Sequence, residues 1–159
     1  MKVNQISQKG LSLIKKFEGV KLKPYLCPAG IPTISIGCTY YEDGTKVKMT
    51  DAPISEARAT DIFLNVIKHY ERSVDSFCRD DINQNQFDSL VSLCYNVGAG
   101  ALKRSTLIKK VNANPNDPLI KLEFLKWNKS GGKVLNGLTL RRQAESELYF
   151  SCKNYSSVC

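Results

Sequence analysis

The sequence predicts an α+β domain, mainly helical, with a small sheet near its N-terminus. Three observations predict it. Two extended segments, KLKPYL and PTISIG, fall together in the N-terminal part. After Lys48, apolar residues recur at helical spacing almost to the end of the chain. The length of 159 residues suits one domain with a real core, and no repeat, linker or low-complexity tract divides it.

The first helix is well signalled. Ser7 is its N-cap, with Ile6 and Leu11 as a hydrophobic staple. Leu11, Ile14 and Phe17 share one face, and Gly19 is a natural stop. Glu18 therefore falls on the last turn, at the negative end of the helix dipole, where a charged carboxylate is disfavoured. That setting suits a general acid, which must keep its proton until it is needed. The plain alternative is a solvated surface glutamate.

KLKPYL and PTISIG follow, joined by Cys27-Pro28-Ala29-Gly30. A third strand is expected near Tyr40, with Glu42-Asp43-Gly44 as its turn. Ile54 to about Phe77 reads as a long helix, with a break near Arg72 and Ser73. In DINQNQFDSLVSLCYNVGAG the residues Phe87, Leu90, Val91, Cys94 and Tyr95 share a face, and Gly98 stops the helix. A short helix is expected after Ser105. Another opens at Pro115 and Asp117, carries Leu122, Leu125 and Trp127, and is broken by Ser130-Gly131-Gly132. The last helix is expected from about Thr139 to Phe150.

The formal net charge is +8, which favours polyanionic partners or simply solubility. No helix-turn-helix, zinc finger or aromatic-studded strand accompanies it, so no nucleic-acid partner is expected. No apolar run approaches the roughly 18 to 20 residues that span a bilayer, so no stable membrane insertion is expected. The first residues lack the apolar core of about 7–15 residues that marks a secretory signal. The six cysteines, Cys27, Cys38, Cys78, Cys94, Cys152 and Cys159, contain no C-x-x-C pair, and His69 is the single histidine. Neither a zinc site nor any other cofactor is expected. Cys94 and Cys78 read as small buried hydrophobes. Cys152 and Cys159 are close enough in sequence to bridge in an oxidising compartment.

Three blocks carry a resemblance. FEGVKLKPYLCPAGIPTISIG holds a Phe-Glu-Gly, a Tyr-containing strand and a Pro-Thr-Ile strand. INQNQFDSLVSLCYNVGAGAL is followed by KRSTLIKKVN. KWNKSGGKVLNGLTLRRQAESELYF places a Trp and a Gly-Gly loop before a GLxxRRxxE pattern. In this order the chain resembles the phage-type lysozymes, or endolysins, of glycoside hydrolase family 24.

The resemblance implies a single lysozyme-like domain over 1–159. Its small β lobe would cover about 19–55. Its helical lobe would be formed by the first helix and about 75–155, and a long helix would join the two. It also implies a muramidase that cuts between N-acetylmuramic acid and N-acetylglucosamine in peptidoglycan. Glu18, Cys27 and Thr33 stand at the catalytic positions, with Glu18 as the general acid. Arg141 matches an arginine close to that acid, and Asn96 an amide facing the cleft. Trp127 reads as core. The enzyme would be a monomer made in the host cytoplasm. It would act on the cell wall after a separate holin-like protein opens the membrane, or enter with a virion.

Two positions depart from the pattern. Cys27 stands where an acid is usual, and Cys38 where a histidine is. A Cys27–Cys38 disulfide is disfavoured, because at about 3.3 Å per residue the hairpin holds the two apart unless it bends sharply. A thiol is mostly neutral at pH 7, so nearby positive charge would decide its form; Lys21 and Lys23 are candidates, although alternation faces them outward. Two other function classes compete: a lysozyme-fold module that grips peptidoglycan without cutting it, and a nucleic-acid binder suggested by charge alone.

Overall fold

A computed structural model describes residues 2–151. Seven helices and two small antiparallel hairpins make up the described chain, as the α+β reading requires. Helix α1 (Gln8–Glu18) begins at the Ser7 cap, whose hydroxyl accepts from the N–H groups of Lys9 and Gly10. It ends at Gly19 with φ 70°, a conformation that glycine adopts without strain. The cap is itself anchored. Asp88, fully buried, accepts from both the Ser7 N–H and the Ser7 hydroxyl.

Strands β1 (Lys21–Leu26) and β2 (Pro32–Ser35) form the first hairpin, with Tyr25 opposite Thr33. PTISIG is not one straight strand. The chain reverses at Ser35, Ile36 and Gly37, and Ile34 and Cys38 exchange both backbone hydrogen bonds at 2.9 Å. Ser35 takes φ 61°, unusual for a side-chain-bearing residue, and its hydroxyl donates to the Ala59 carbonyl at 2.6 Å. The sharp bend that a Cys27–Cys38 bridge would need is therefore present, yet both cysteines are free thiols. The expected third strand is a single bridge, Tyr40 with Lys46.

Helix α2 (Glu56–Phe77) runs without the expected break. Arg72 faces solvent, Ser73 returns its hydroxyl to the His69 carbonyl, and Val74 stays in the core, so the polar pair interrupts nothing. Helix α3 (Gln84–Val97) opens with a reciprocal capping box between Asn83 and Gln86. It is the centre of the molecule: every residue from Gln86 to Cys94 is buried, and α1, α2 and α7 (Asn136–Phe150) pack around it. Cys94 and Cys78 are buried, as read.

Two short elements escape the sequence reading. Helix α4 (Ala99–Lys103) starts directly from Gly98. Strands β3 (Lys129–Ser130) and β4 (Lys133–Val134) pair across Gly131 and Gly132, both at positive φ, so the expected breaker is a tight hairpin turn. Helix α5 (Thr106–Ala113) follows its Ser105 cap. Helix α6 (Ile120–Leu125) ends before Trp127, which is half-buried against the core. Helix α7 begins three residues before Thr139. Its first bond runs from the Thr139 N–H to the Leu135 carbonyl, and the Thr139 hydroxyl returns to the same carbonyl instead of capping. Among the described residues no helix is long and apolar enough to cross a membrane. Cys152 and Cys159 lie outside the described residues.

Candidate active site

Glu18 is the last residue of α1, and the Gly19 turn frees its side chain from the helix. The carboxylate accepts from Arg141 Nη1 at 2.6 Å; its side chain is 22% exposed and that of Arg141 only 4%. Arg141 also lies over the Phe17 ring, 5.9 Å from its centroid. The bend after β2 brings Gly37 against the acid. A Cβ there would meet Glu18 Oε2 at 3.1 Å. Tyr95 of α3 fixes the bend by donating to the Ile36 carbonyl. Glu18, Gly37 and Tyr95 line a pocket of about 310 Å³ with Cys38, Tyr70 and Asn96.

Arg141 does not stand alone. Its Nε donates to Glu145 Oε1 at 3.1 Å and its Nη2 to the Ser92 carbonyl. Arg142, fully buried, donates to the same Glu145 oxygen at 3.0 Å and to Asn96 Oδ1 at 2.9 Å. Arg142 Nε and Glu145 Oε2 lie 2.7 Å apart as an ion pair, off the line of a hydrogen bond. Burial pulls Arg142 below the usual guanidinium range, and the Glu145 charge opposes that pull. Glu18 and Asn96 are thus the two ends of one buried chain of charges. Asn96 also lines a second pocket, of about 480 Å³, with Pro28 and Trp127.

Cys27 and Thr33 belong to the β1–β2 hairpin, and neither lines the pocket that holds Glu18. Cys27 is half-exposed at the β1–β2 turn, where its N–H donates to the Ile31 carbonyl. The backbone N–H of Ile31, and after it that of Ala29 and the Thr33 hydroxyl, hold the thiol below its ordinary value. Neutral dipoles thus act on the thiol, while Lys21 and Lys23 are exposed, in keeping with the outward alternation. Thr33 is buried; its one hydroxyl proton goes to the Ile31 carbonyl at 2.9 Å and reaches a thiolate only by turning away from it. Tyr25 feels both sets of residues: burial first, then the charges of Glu18, Cys27 and Cys38, push its hydroxyl up. Cys38 is a buried, neutral thiol, 3.7 Å from the Tyr95 hydroxyl and pushed up by burial.

The structure therefore joins Glu18, Arg141 and Asn96 in one network and Cys27 with Thr33 in another. Sequence reasoning missed Arg142, Glu145, Tyr25 and Gly37. The GLxxRRxxE pattern already held a signal for the first two, since i, i+3 and i, i+4 pairs of opposite charge face each other on a helix. A separate hollow of about 450 Å³ between Asn4–Ile6 and α2 contains Glu71, but that acid accepts the Ile6 N–H and serves structure.

A helix-end acid clasped from a central helical core beside a bent hairpin is the arrangement of a lysozyme-like fold. The structure of the endolysin from Escherichia coli O157:H7 phage FAHEc1 matches with TM-score 0.86 at 36% identity, covering 95% of this chain and 97% of that one. The endolysin of Salmonella phage P22 is 35% identical over 147 residues, 92% of this chain and 99% of its own length. That of Bacillus phage B103 is 44% identical over 146 residues, 92% of this chain and 54% of its own length. The chain thus spans about half the length of that relative. A model of the phage lysozyme family matches residues 15–145, and the chain belongs to that family.

Proposed function

We propose that this chain is an endolysin-type muramidase. It hydrolyses the β-1,4 bond between N-acetylmuramic acid and N-acetylglucosamine in bacterial peptidoglycan, for host-cell lysis at phage release. The observation that carries the reading is Glu18 at the end of α1, held by Arg141 in the pocket it shares with Asn96. Glu18 protonates the glycosidic oxygen as the sugar bond breaks. The carboxylate left behind is stabilised by the Arg141 guanidinium. Water enters from the opposite face, oriented by Cys27 and Thr33, and Cys27 takes its proton. The amides around the Cys27 thiol support that role, because they make the thiolate easier to reach.

The same observation favours a rival step: a Cys27 thiolate is also a nucleophile, and a covalent thioglycosyl intermediate would retain configuration where water attack inverts it. The anomer first released, read by proton NMR on a soluble glycan, separates the two. The division into a small β lobe at about 19–55 and a helical lobe, the monomeric state, and release from the host cytoplasm by a separate membrane-permeabilising protein belong to the same reading.

The test is clearing of outer-membrane-permeabilised cells, with Glu18→Gln as control. The wild type clears the suspension. Glu18→Gln loses roughly a hundredfold to ten-thousandfold in rate while keeping its circular dichroism. Cells expressing the wild type stay intact until their inner membrane is opened. Equal clearing by both proteins would remove Glu18 from the role of acid, and lysis on expression alone would remove the separate release step.

A further inference from the structure

The proposed reading gives roles to Glu18 and Arg141 and leaves unused two of the most deeply buried charges among the described residues. Glu145 and Arg142 are both 0% exposed. Glu145 has no contact with the cleft. Its Oε1 alone accepts from the Ser92 hydroxyl at 2.7 Å, from Arg141 and from Arg142. Burying a carboxylate beneath two guanidiniums is costly unless every partner is in place. One cation would suffice to neutralise that carboxylate. Glu145 divides itself between two, and each reaches a different group of the site: Arg141 reaches Glu18, and Arg142 reaches Asn96 and the Trp127 carbonyl.

We infer that Glu145 is a positioning residue: as the anion shared by Arg141 and Arg142, it sets the aim of Arg141 at Glu18 and the net charge of the guanidinium pair behind that acid. The inference rests on the reading of Glu18 as the acid.

Charge counting gives it a sign. While Glu18 carries its proton, the buried set is two guanidiniums and one carboxylate, a net of one positive charge. Without the Glu145 charge, Glu18 would face two uncompensated cations, which draw its proton off. Without the Arg142 charge, Arg141 and Glu145 would cancel, and the proton would be held more firmly. The other titratable groups around Glu18 come from every element packed against it: Tyr25 of β1, Cys38 after β2, Tyr70 of α2 and Tyr95 of α3. Burial pushes all four up, so all stay neutral at working pH. The two arginines and Glu145 decide the field.

The test is a carbon-13 NMR titration of the Glu18 carboxyl in the wild type, Glu145→Gln and Arg142→Met, beside kcat and KM on purified peptidoglycan. In Glu145→Gln the midpoint falls by about one pH unit, and in Arg142→Met it rises by a similar amount. The alkaline limb of kcat follows in the same two directions. In Glu145→Gln, kcat per folded molecule drops about tenfold or more while KM changes little. Opposite displacements cannot come from general loosening. Should Glu145→Gln not fold, Arg142→Met decides alone, since it leaves Glu145 paired with Arg141. A midpoint that does not move, or that moves the same way in both variants, overturns the inference. Because the titration does not depend on turnover, it reads the coupling even if the wild type fails to clear cells, which would instead sink the muramidase reading.

Discussion

The two groups of residues proposed for the site, a wall around Glu18 and a wall around Cys27, are built on different principles. The Glu18 wall is assembled from α1, α3 and α7 by side chains far apart in sequence: Arg141 lies 123 residues from the acid it holds. Its members are nearly all buried, and the core fixes them from behind. The Cys27 wall is one hairpin turn. Its bonds are local, Cys27 N–H to the Ile31 carbonyl and Gly30 N–H to the Cys27 carbonyl, and Pro28, Ala29, Gly30 and Ile31 are exposed. On the proposed mechanism, the group that must be aimed within a fraction of an ångström sits where the whole fold over-determines it. A group whose task is to favour one state of a thiol can be served by a few amides of its own turn.

If the contrast is sound, the Cys27 wall tolerates a change of chemistry more readily than a loss of function. Cys27→Ala should lose about a hundredfold or more in clearing rate. Cys27→Asp should keep substantial activity, because a carboxylate at the turn finds the same Ile31 and Ala29 amides. Cys27→Ser should fall between them, since it orients water but takes up no proton near pH 7. None of the three should unfold a turn whose side chain is half in solvent, and thermal melts beside initial rates check this. If Cys27→Ala matches the parent, the cysteine is a bystander and the chemistry rests on Glu18 and Thr33.

The Glu18 wall should answer to geometry instead. Gly37 carries φ 76°, and an added Cβ would press on Glu18 Oε2. Gly37→Ala should cost about 1 kcal/mol in a denaturant melt from backbone strain. It should also slow clearing about tenfold by displacing the acid. A melt shift with no loss of rate would show that the acid is less tightly aimed than its contacts imply.

The same contrast explains what the sequence made legible. Ser7, Gly19 and Gly98 signal helix ends through local chemistry, and the structure keeps those ends where that chemistry puts them. The hairpin of β1 and β2 was legible for the same reason. The continuity of α2 was not, because burial of Val74 and Ile67 outweighs two polar residues on the outer face. The tight turn at Gly131-Gly132 hid inside what looked like a simple break. Of the site, Glu18 and Arg141 were visible through family spacing, but the sharing of Glu145 between two arginines was not. A buried network is a property of how α7 lies on α3, and no local pattern states which partner a charge will find.

The smallest expected effect concerns the thiol itself. The amides of Ile31 and Ala29 and the Thr33 hydroxyl favour the charged form of Cys27, so its thiolate appears at lower pH than that of a free cysteine. Alkylation consumes the thiolate, so the rate with iodoacetamide should reach half its plateau below the ordinary value of about 8.5. Burial holds Cys38 above its ordinary value and pushes Cys78 and Cys94 up to about 12, so these three should stay silent below pH 8. Replacing Cys152 and Cys159 by serine isolates the signal. Thr33→Val removes one of the groups that favour the thiolate, and the half-plateau should rise by a few tenths of a pH unit. The turn itself should survive, because the Ile31 carbonyl keeps the Cys27 N–H when it loses the Thr33 hydroxyl. A midpoint at or above that of free cysteine would mean that the turn does not prepare the thiol. Cys27 would then have to borrow its charge from the substrate-bound state, and the two walls would be less independent than their construction indicates.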